Sequence, residues 1–495
     1  MRLVVIGNGM VGSRFVEDLL ARDTSDKYDV TVLGAEGCEP YNRVLLSEVV
    51  AGRHDLASLA LTTPDHPRLR VLRGTAVTAV DREDRVVTTD DGGRHRYDQL
   101  VLATGASARI PALAGLDTGS GELPIGVHAL RTIDDAREVV AATLNARRAV
   151  VLGAGVLGIE AASGLAQRGC AVTVVHPMDA LMERQLDGAA SRMLAATMPR
   201  AGIHPLIGTG AEAAVVADGR LTGIRLTGGE VLESELLVLA TGTVANTSLA
   251  SASGLPCERG VLVDAASATA DPRVFAIGDC AQPPDGAMGL VALGWEQSRA
   301  LAERLTGTTG RRRARAARSN DVVRVKAHGL DVVTMGVCGG VRPDDPSHRA
   351  LSLSDPSAGR HVEVVVAGGR LVGATCVGAG TVAADLVAAY TRGTPVPHDP
   401  AHLLLPALAP AGVGADDGSA AGHATVCRCN GVTRDEIERA HADGARGIDD
   451  VAKATRATTG CGGCTQEVCD LLARLGAATG GSDTAPDLTI AGSTL

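Results

Sequence analysis

Aromatic side chains are scarce: the 495 residues include one Trp, four Tyr and two Phe. A base-stacking platform needs aromatic faces, so no nucleic-acid partner is expected. Positive charge is also in deficit. The 47 Lys and Arg against 57 Asp and Glu leave a net charge of −10, the wrong sign for a phosphate-backbone binder. No apolar run reaches the roughly 18 uninterrupted residues of a bilayer-spanning helix, and no membrane partner is expected. The opening Met1-Arg2-Leu3-Val4-Val5-Ile6-Gly7 is too short an apolar stretch for a signal peptide and shows no cleavage site, which points to a cytoplasmic protein. Eleven cysteines in so long a chain do not make a disulfide framework.

What is present is ordinary globular composition, 45% hydrophobic and 21% charged, with 61 glycines. At roughly 150 residues per domain the length implies three or four domains. A short apolar strand at 3–6 leads through a glycine turn into a helix carrying Phe15, Val16, Leu19 and Leu20, then a second strand at 30–33. The pattern returns with strands at 149–152 and 172–175, and each copy reads as a βαβ unit. Segments 100–105 and 236–242 echo each other as buried strands ending in Thr-Gly. The chain therefore carries an internal repeat. The expected fold class is α/β, with two Rossmann-like dinucleotide-binding domains. Segment 274–279 reads as a late strand of the first, so that domain is discontinuous (1–120 and 243–306) around the second (121–242).

Residues 307–320 turn abruptly basic, as a boundary loop or as a stripe for an acidic partner. Beyond them, 320–393 reads as a small α+β domain. Its strands fall at 322–325, 332–335, 362–366 and 371–376, its hairpin turn at Gly368-Gly369, and its helix near 381–390. A Pro/Ala/Gly/Asp-rich linker covers 394–424, and 425–476 forms the last domain.

Two glycine sets carry the first chemistry. Gly7-Asn8-Gly9-Met10-Val11-Gly12 and Gly153-Ala154-Gly155-Val156-Leu157-Gly158 each join a strand to a helix. No side chain then blocks a pyrophosphate, and the helix N-terminus supplies free N–H groups and a positive dipole end. One such motif can be only a tight turn; two in one chain, each inside a βαβ unit, indicate two dinucleotide sites.

With Ala276-Ile277-Gly278-Asp279-Cys280, the chain resembles the FAD-dependent pyridine-nucleotide oxidoreductases. Within them it is most similar to the N-terminal half of assimilatory NAD(P)H nitrite reductase large subunits and to electron-transfer subunits of bacterial assimilatory nitrate reductase. The residues behind this are the first glycine set, Pro40-Tyr41-Asn42-Arg43-Val44-Leu45-Leu46-Ser47, Met182-Glu183-Arg184-Gln185-Leu186-Asp187 and the C-terminal cysteines. The resemblance implies FAD on the first unit and NAD(P)H on the second. It assigns Asp279 to the ribityl–phosphate portion, Glu36 to the adenosine ribose unless it is a solvated loop carboxylate, and Arg43 and Ser47 to the segment along the flavin. Thr104 and Gly105 end a strand beside the flavin, and Gly242 ends the echoing strand of the second unit. A helix starting near Trp295 would aim its N-terminus at the flavin's pyrimidine edge, although Trp295 can equally be packing. Glu160 is a candidate near the nicotinamide or an ordinary helix Glu. After the second unit's strand stands His176, not the carboxylate that favours NADH; His176 or Arg184 can attract a 2′-phosphate, and the nucleotide preference stays open.

Flavin disulfide reductases carry a Cys-x4-Cys pair, but here Cys38 stands alone and Arg43 occupies the position of the second thiol. Electrons need another exit. Cys427, Cys429, Cys461 and Cys464, paired as Cys-x-Cys and Cys-x2-Cys, can hold zinc or an iron–sulfur cluster. The tight first pair and Gly460, Gly462 and Gly463 favour a cluster, and the arrangement resembles the bacterioferritin-associated-ferredoxin-like [2Fe-2S] domain. Thr433-Arg434-Asp435-Glu436 is a capping-box start for the helix between the pairs, and Cys469 reads as structural. The resemblance implies hydride transfer from NAD(P)H to FAD, then single electrons through the cluster. The expected partner is the molybdenum-containing assimilatory nitrate reductase catalytic subunit. Alternatives are a nitrite reductase component, a rubredoxin or ferredoxin reductase, or a redox-silent interaction protein.

Overall fold

Runs of Val, Leu and Ile without alternation need a sheet covered on both faces, and that is where they lie. In the computed structural model, Arg2–Ile6 is the central strand of a five-stranded parallel sheet. Asp29–Gly34 and then Leu69–Arg73 lie on one side of it, Gln99–Leu102 and then Val274–Ala276 on the other. Leu3, Val4 and Val5 are all buried, each worth roughly 1.5–3 kcal/mol in transfer from water. Helices Met10–Leu20 and Val291–Thr306 pack together over this sheet.

The second sheet repeats the plan. Arg148–Leu152 is central, with Ala171–His176 and Ile203–Ile207 to one side and Leu236–Leu239 and Val127–Ala129 to the other, all parallel. Sheet order reverses at each central strand, which opens a crevice at its carboxyl end. The strands Ala106–Ala108 and Thr243–Ala245, on the crossings between the two sheets, pair antiparallel.

A third, antiparallel sheet runs Val323–Arg324, Val332–Gly336, Arg370–Val377, Arg360–Ala367, Arg349–Asp355, backed by helix Gly380–Arg392. Gly368 and Gly369, at φ +56 and +69, make the tight turn between its two long strands, where side chains would be strained. Arg349–Asp355 was not expected. Its Leu351-Ser352-Leu353-Ser354 alternates, but the run is short and the inward Leu351 and Leu353 are only partly buried on an edge.

The described residues are 1–117, 121–286, 289–308, 321–339, 345–405, 425–427, 432–459 and 464–479. They divide into two compact units, Met1–Val413 and Gly414–Leu495. The second contains a hairpin of Thr425–Cys427 with Val432–Thr433 and helices Arg434–Ala442, Ile448–Thr455 and Thr465–Thr479. Its first helix opens on the reciprocal Thr433–Glu436 capping box.

Candidate functional site

Each glycine set closes its turn against its own backbone. Gly7 (φ +111) admits no Cβ because Ala103 O would stand 2.1 Å away, and at Gly12 a Cβ would meet Gly7 O at 2.1 Å. Gly153 and Gly158 meet Ala240 O and Gly153 O in the same way, at 2.4 and 2.0 Å. The middle glycines differ. A Cβ on Gly9 would find only Arg43 Nε, at 4.0 Å, and one on Gly155 nothing within 4 Å. Their lack of a side chain is not required by the protein itself, but it is what a closely approaching pyrophosphate requires.

Both following helices, Met10–Leu20 and Val156–Gln167, begin on a glycine with no side-chain cap, so their first N–H groups face the crevice. Asn8 Nδ2 in the first turn is buried without a partner among the described residues. The residues present therefore fit a dinucleotide at each turn. Val156 and Leu157 of the second set pack partly buried against the core.

Around the first turn, several candidates form one network. Glu36, just past Asp29–Gly34, accepts from Tyr41 Oη (2.7 Å) and pairs with Arg43. Arg43 also donates to Arg131 O (3.2 Å) and lies over the Tyr41 ring. Arg131 in turn donates to Asp279 Oδ2 at 2.6 Å. Neither Tyr41 nor Arg131 was singled out from the sequence; nothing in the spacing brings 131 to 279.

Thr104 Oγ1 donates to Asn246 O, while the Asn246 amide returns a bond to Thr104 O, both at 2.8 Å. Gly105 O accepts from Asn246 N, and Gly242 O accepts from Arg109 N, so the two Thr-Gly ends are tied to opposite crossing strands. Trp295 donates to Met10 O (3.4 Å) and is buried, a packing contact on the first helix. The expected helix start there is corrected: the helix begins at Val291, after Gly289 (φ +87) and an extended Leu290, and Trp295 lies one turn inside it.

A second network crosses the domains of the first unit. Ser47 Oγ donates to Glu160 Oε2 at 2.6 Å, and Lys326 donates to Glu160 Oε1 through both Nζ (2.6 Å) and its backbone N–H (3.0 Å). Glu160 is 3% exposed. It is therefore no solvated helix Glu: burying a carboxylate demands such compensation. Lys326 escaped the sequence reading; its one signal is that the chain holds three lysines among many arginines.

At the second turn His176 Nδ1 accepts from the Ala154 N–H (3.3 Å), and Nε2 lies 3.2 Å from Glu183 Oε2. That backbone N–H fixes Nε2 as the protonated nitrogen. The strand end itself carries no carboxylate, as the sequence indicates, but Glu183 brings one to the His176 ring from a later loop, while Arg184 is exposed.

Of the metal-ligand candidates, Cys427 and Cys464 are buried in one apolar cluster with Val426, Ile437, Val451, Val468 and Leu471. Cys429 and Cys461, like Gly460, Gly462 and Gly463, lie outside the described residues. Two buried thiols in one cluster, one ending the strand Thr425–Cys427 and one just before the helix Thr465–Thr479, fit a thiolate-bound centre. Cys469 is exposed, one position off the buried Val468–Leu472 stripe, which corrects its expected structural role. Cys38 forms no disulfide among the described residues, and burial is the first cause raising its thiol pKa.

Residues 1–300 match the pyridine nucleotide-disulphide oxidoreductase family. The chain belongs to that family. Residues 425–474 match the BFD-like [2Fe-2S] binding domain. The protein is thus an FAD-dependent NAD(P)H oxidoreductase with a [2Fe-2S] domain, and its cofactors are FAD, NAD(P)H and that cluster. It is 32% identical over 95% of its length to a nitrite reductase [NAD(P)H] of Bacillus subtilis, covering 57% of that protein. It is 30% identical over 95% of its length to the assimilatory nitrate reductase electron transfer subunit of the same organism, covering 59%. The chain therefore spans somewhat over half the length of these relatives. Among solved structures, the covalent putidaredoxin reductase–putidaredoxin complex shares the fold, with a TM-score of 0.70 at 24% identity over 81% of this chain and 95% of that one. No helix among the described residues is long and apolar enough to cross a membrane.

Proposed function

We propose that the chain is the NAD(P)H-oxidising electron-input component for a molybdenum-containing assimilatory nitrate reductase catalytic subunit. The observation that carries this reading is where the thiols lie. No second cysteine accompanies Cys38 at the place of a redox dithiol, while Cys427 and Cys464 converge in a separate compact unit. The relative named as an electron transfer subunit of nitrate reductase aligns across both units.

The cofactors supply hydride and one-electron chemistry, and the protein's part is binding and alignment. In this reading the turn at Gly7, Asn8, Gly9 and Gly12, with Met10 opening its helix, holds the FAD pyrophosphate. Asp279 would take the ribityl–phosphate portion, Arg43 would lie along the flavin, and Glu36 would hold the adenosine ribose. Ser47, Thr104 and Gly105 line the flavin's other end. Gly153, Gly155, Val156, Leu157 and Gly158 take the second nucleotide, with His176 and Glu183 beside its ribose and Gly242 opposite. Glu160, pinned by Ser47 and Lys326, is a fixed negative charge between the two nucleotides. Cys427, Cys429, Cys461 and Cys464 hold the cluster.

The test is reconstitution. With a purified molybdenum nitrate reductase catalytic subunit, NAD(P)H oxidation should become nitrate-dependent and require both proteins. Nitrate-independent oxidation that instead follows a sirohaem nitrite reductase would transfer the assignment to nitrite reduction. A flavin that NAD(P)H fails to bleach would mean a redox-silent protein.

A further inference from the structure

Outside both nucleotide turns, Asp187, His361 and Glu363 bring one ligand atom each to within 4.8 Å of one another. Asp187 is the N-cap of helix Gly188–Thr197, which packs on the strands Arg360–Ala367 and Arg370–Val377 of the third sheet. His361 and Glu363 are two apart on the first of these strands, so both face that helix. Both are buried, at 1% and 8% exposure.

The imidazole is the deciding group. Its Nδ1 is 2.6 Å from Ser354 Oγ, the residue directly across the strand pair. Its Nε2 is buried, has no hydrogen-bond partner among the described residues, and stands 3.9 Å from Asp187 Oδ2. If Nδ1 carries the proton, a bare lone pair on Nε2 faces two carboxyl groups. If Nε2 carries it, the distance is too long for a hydrogen bond. Thr375, which pairs with Glu363 across the sheet and so shares its face, also has a buried hydroxyl without a partner among the described residues. Buried polar atoms are rarely left unsatisfied, and two in one row mark a missing water or ion. Burial also lowers the His361 pKa, favouring the neutral imidazole that ligates metals.

We infer that Asp187, His361 and Glu363 form a divalent transition-metal site joining the second nucleotide domain to the third sheet. One imidazole nitrogen and two carboxylates suit Mn²⁺, Fe²⁺ or Zn²⁺ rather than a soft ion such as Cu⁺, which needs sulfur ligands. The outer contacts are in place: Ser354 orients the imidazole, and the Ala190 N–H occupies Asp187 Oδ1 at 2.7 Å, leaving Oδ2 toward His361. The ion would tie down the segment ending at Asp187, which includes Glu183 at the His176 ring.

The experiment uses the full chain, stripped with EDTA and titrated with Mn²⁺ followed by electron paramagnetic resonance. Mn²⁺ is chosen because it does not favour the C-terminal thiolates. Wild type should bind one Mn²⁺ per chain, release it to Zn²⁺, and melt at a higher temperature with Mn²⁺ than with EDTA. Asp187→Asn, which can still cap the helix, and Glu363→Gln should each weaken binding roughly tenfold or more and lose the thermal shift, since even outer-contact losses reach that size. Cys461→Ser should retain the Mn²⁺ site, separating it from the cluster. Should Asp187→Asn not fold, Glu363→Gln alone decides. A wild type that binds neither ion, or a Glu363→Gln variant that binds as wild type does, overturns the site and leaves water or a shared proton between the carboxyl groups.

Discussion

Glu160 shows how much one side chain's surroundings decide. Its carboxylate is buried but held by a lysine and a serine from two other parts of the fold. Removing one partner of a buried pair strands the other charge. Lys326→Met should therefore destabilise the first unit by roughly 3 kcal/mol, the low end for such losses because Lys326 keeps some solvent contact. The double variant with Glu160→Gln should recover most of it, as thermal melts would show; a double loss equal to the sum of the two single losses would mean the pair is not coupled. At the second turn, Glu183 replaces the carboxylate absent from the strand end. Glu183→Gln should raise the ratio of NADPH to NADH kcat/KM by about tenfold, removal of one charge facing a 2′-phosphate being worth about 1.4 kcal/mol. An unchanged ratio would place nucleotide selection elsewhere.

At the scale of the strand–turn–helix element, the three glycines of a set do different work, and substitution separates them. Gly158→Ala would drive a methyl to 2.0 Å from Gly153 O. It should cost folding stability, with an early melt and poor yield. Gly155→Ala meets nothing within 4 Å, and should melt like wild type while KM for NAD(P)H rises at least about tenfold. If Gly155→Ala bound the nucleotide normally, the pyrophosphate does not pass that position. These elements are legible in the sequence, because a 3.6-residue helix period following a continuous apolar strand needs no tertiary contact to show itself. The edge strand Arg349–Asp355 is fainter, since its Leu-Ser alternation rests on two large apolar residues only, both half-buried at a sheet edge. The start of helix Val291–Thr306 was misplaced because a backbone turn at Gly289 defines it, without a side-chain cap.

For the whole molecule, the two compact units divide the electron path. Cys461→Ser should abolish electron delivery to the protein acceptor while NAD(P)H still bleaches the flavin, because separate units with their own cores tolerate each other's losses. Stopped-flow absorbance of the flavin beside acceptor reduction measures both halves. A variant that supplied the acceptor at the normal rate would show electrons leaving directly from the flavin.

Local chemistry was written in the chain: the repeated glycine turns, the lone Cys38 and the paired C-terminal cysteines follow from residue type and spacing, which the backbone carries without help from tertiary contacts. Tertiary structure alone decided which charges meet. Arg131 reaches Asp279, Lys326 reaches Glu160, and Asp187 reaches His361 across 148, 166 and 174 residues of chain. Sequence periodicity reports which face of an element is buried, but not which element packs against it. Pairings between distant elements arise only when two sheets and a third domain close around one another, and burial then makes each charge depend on the partner it finds.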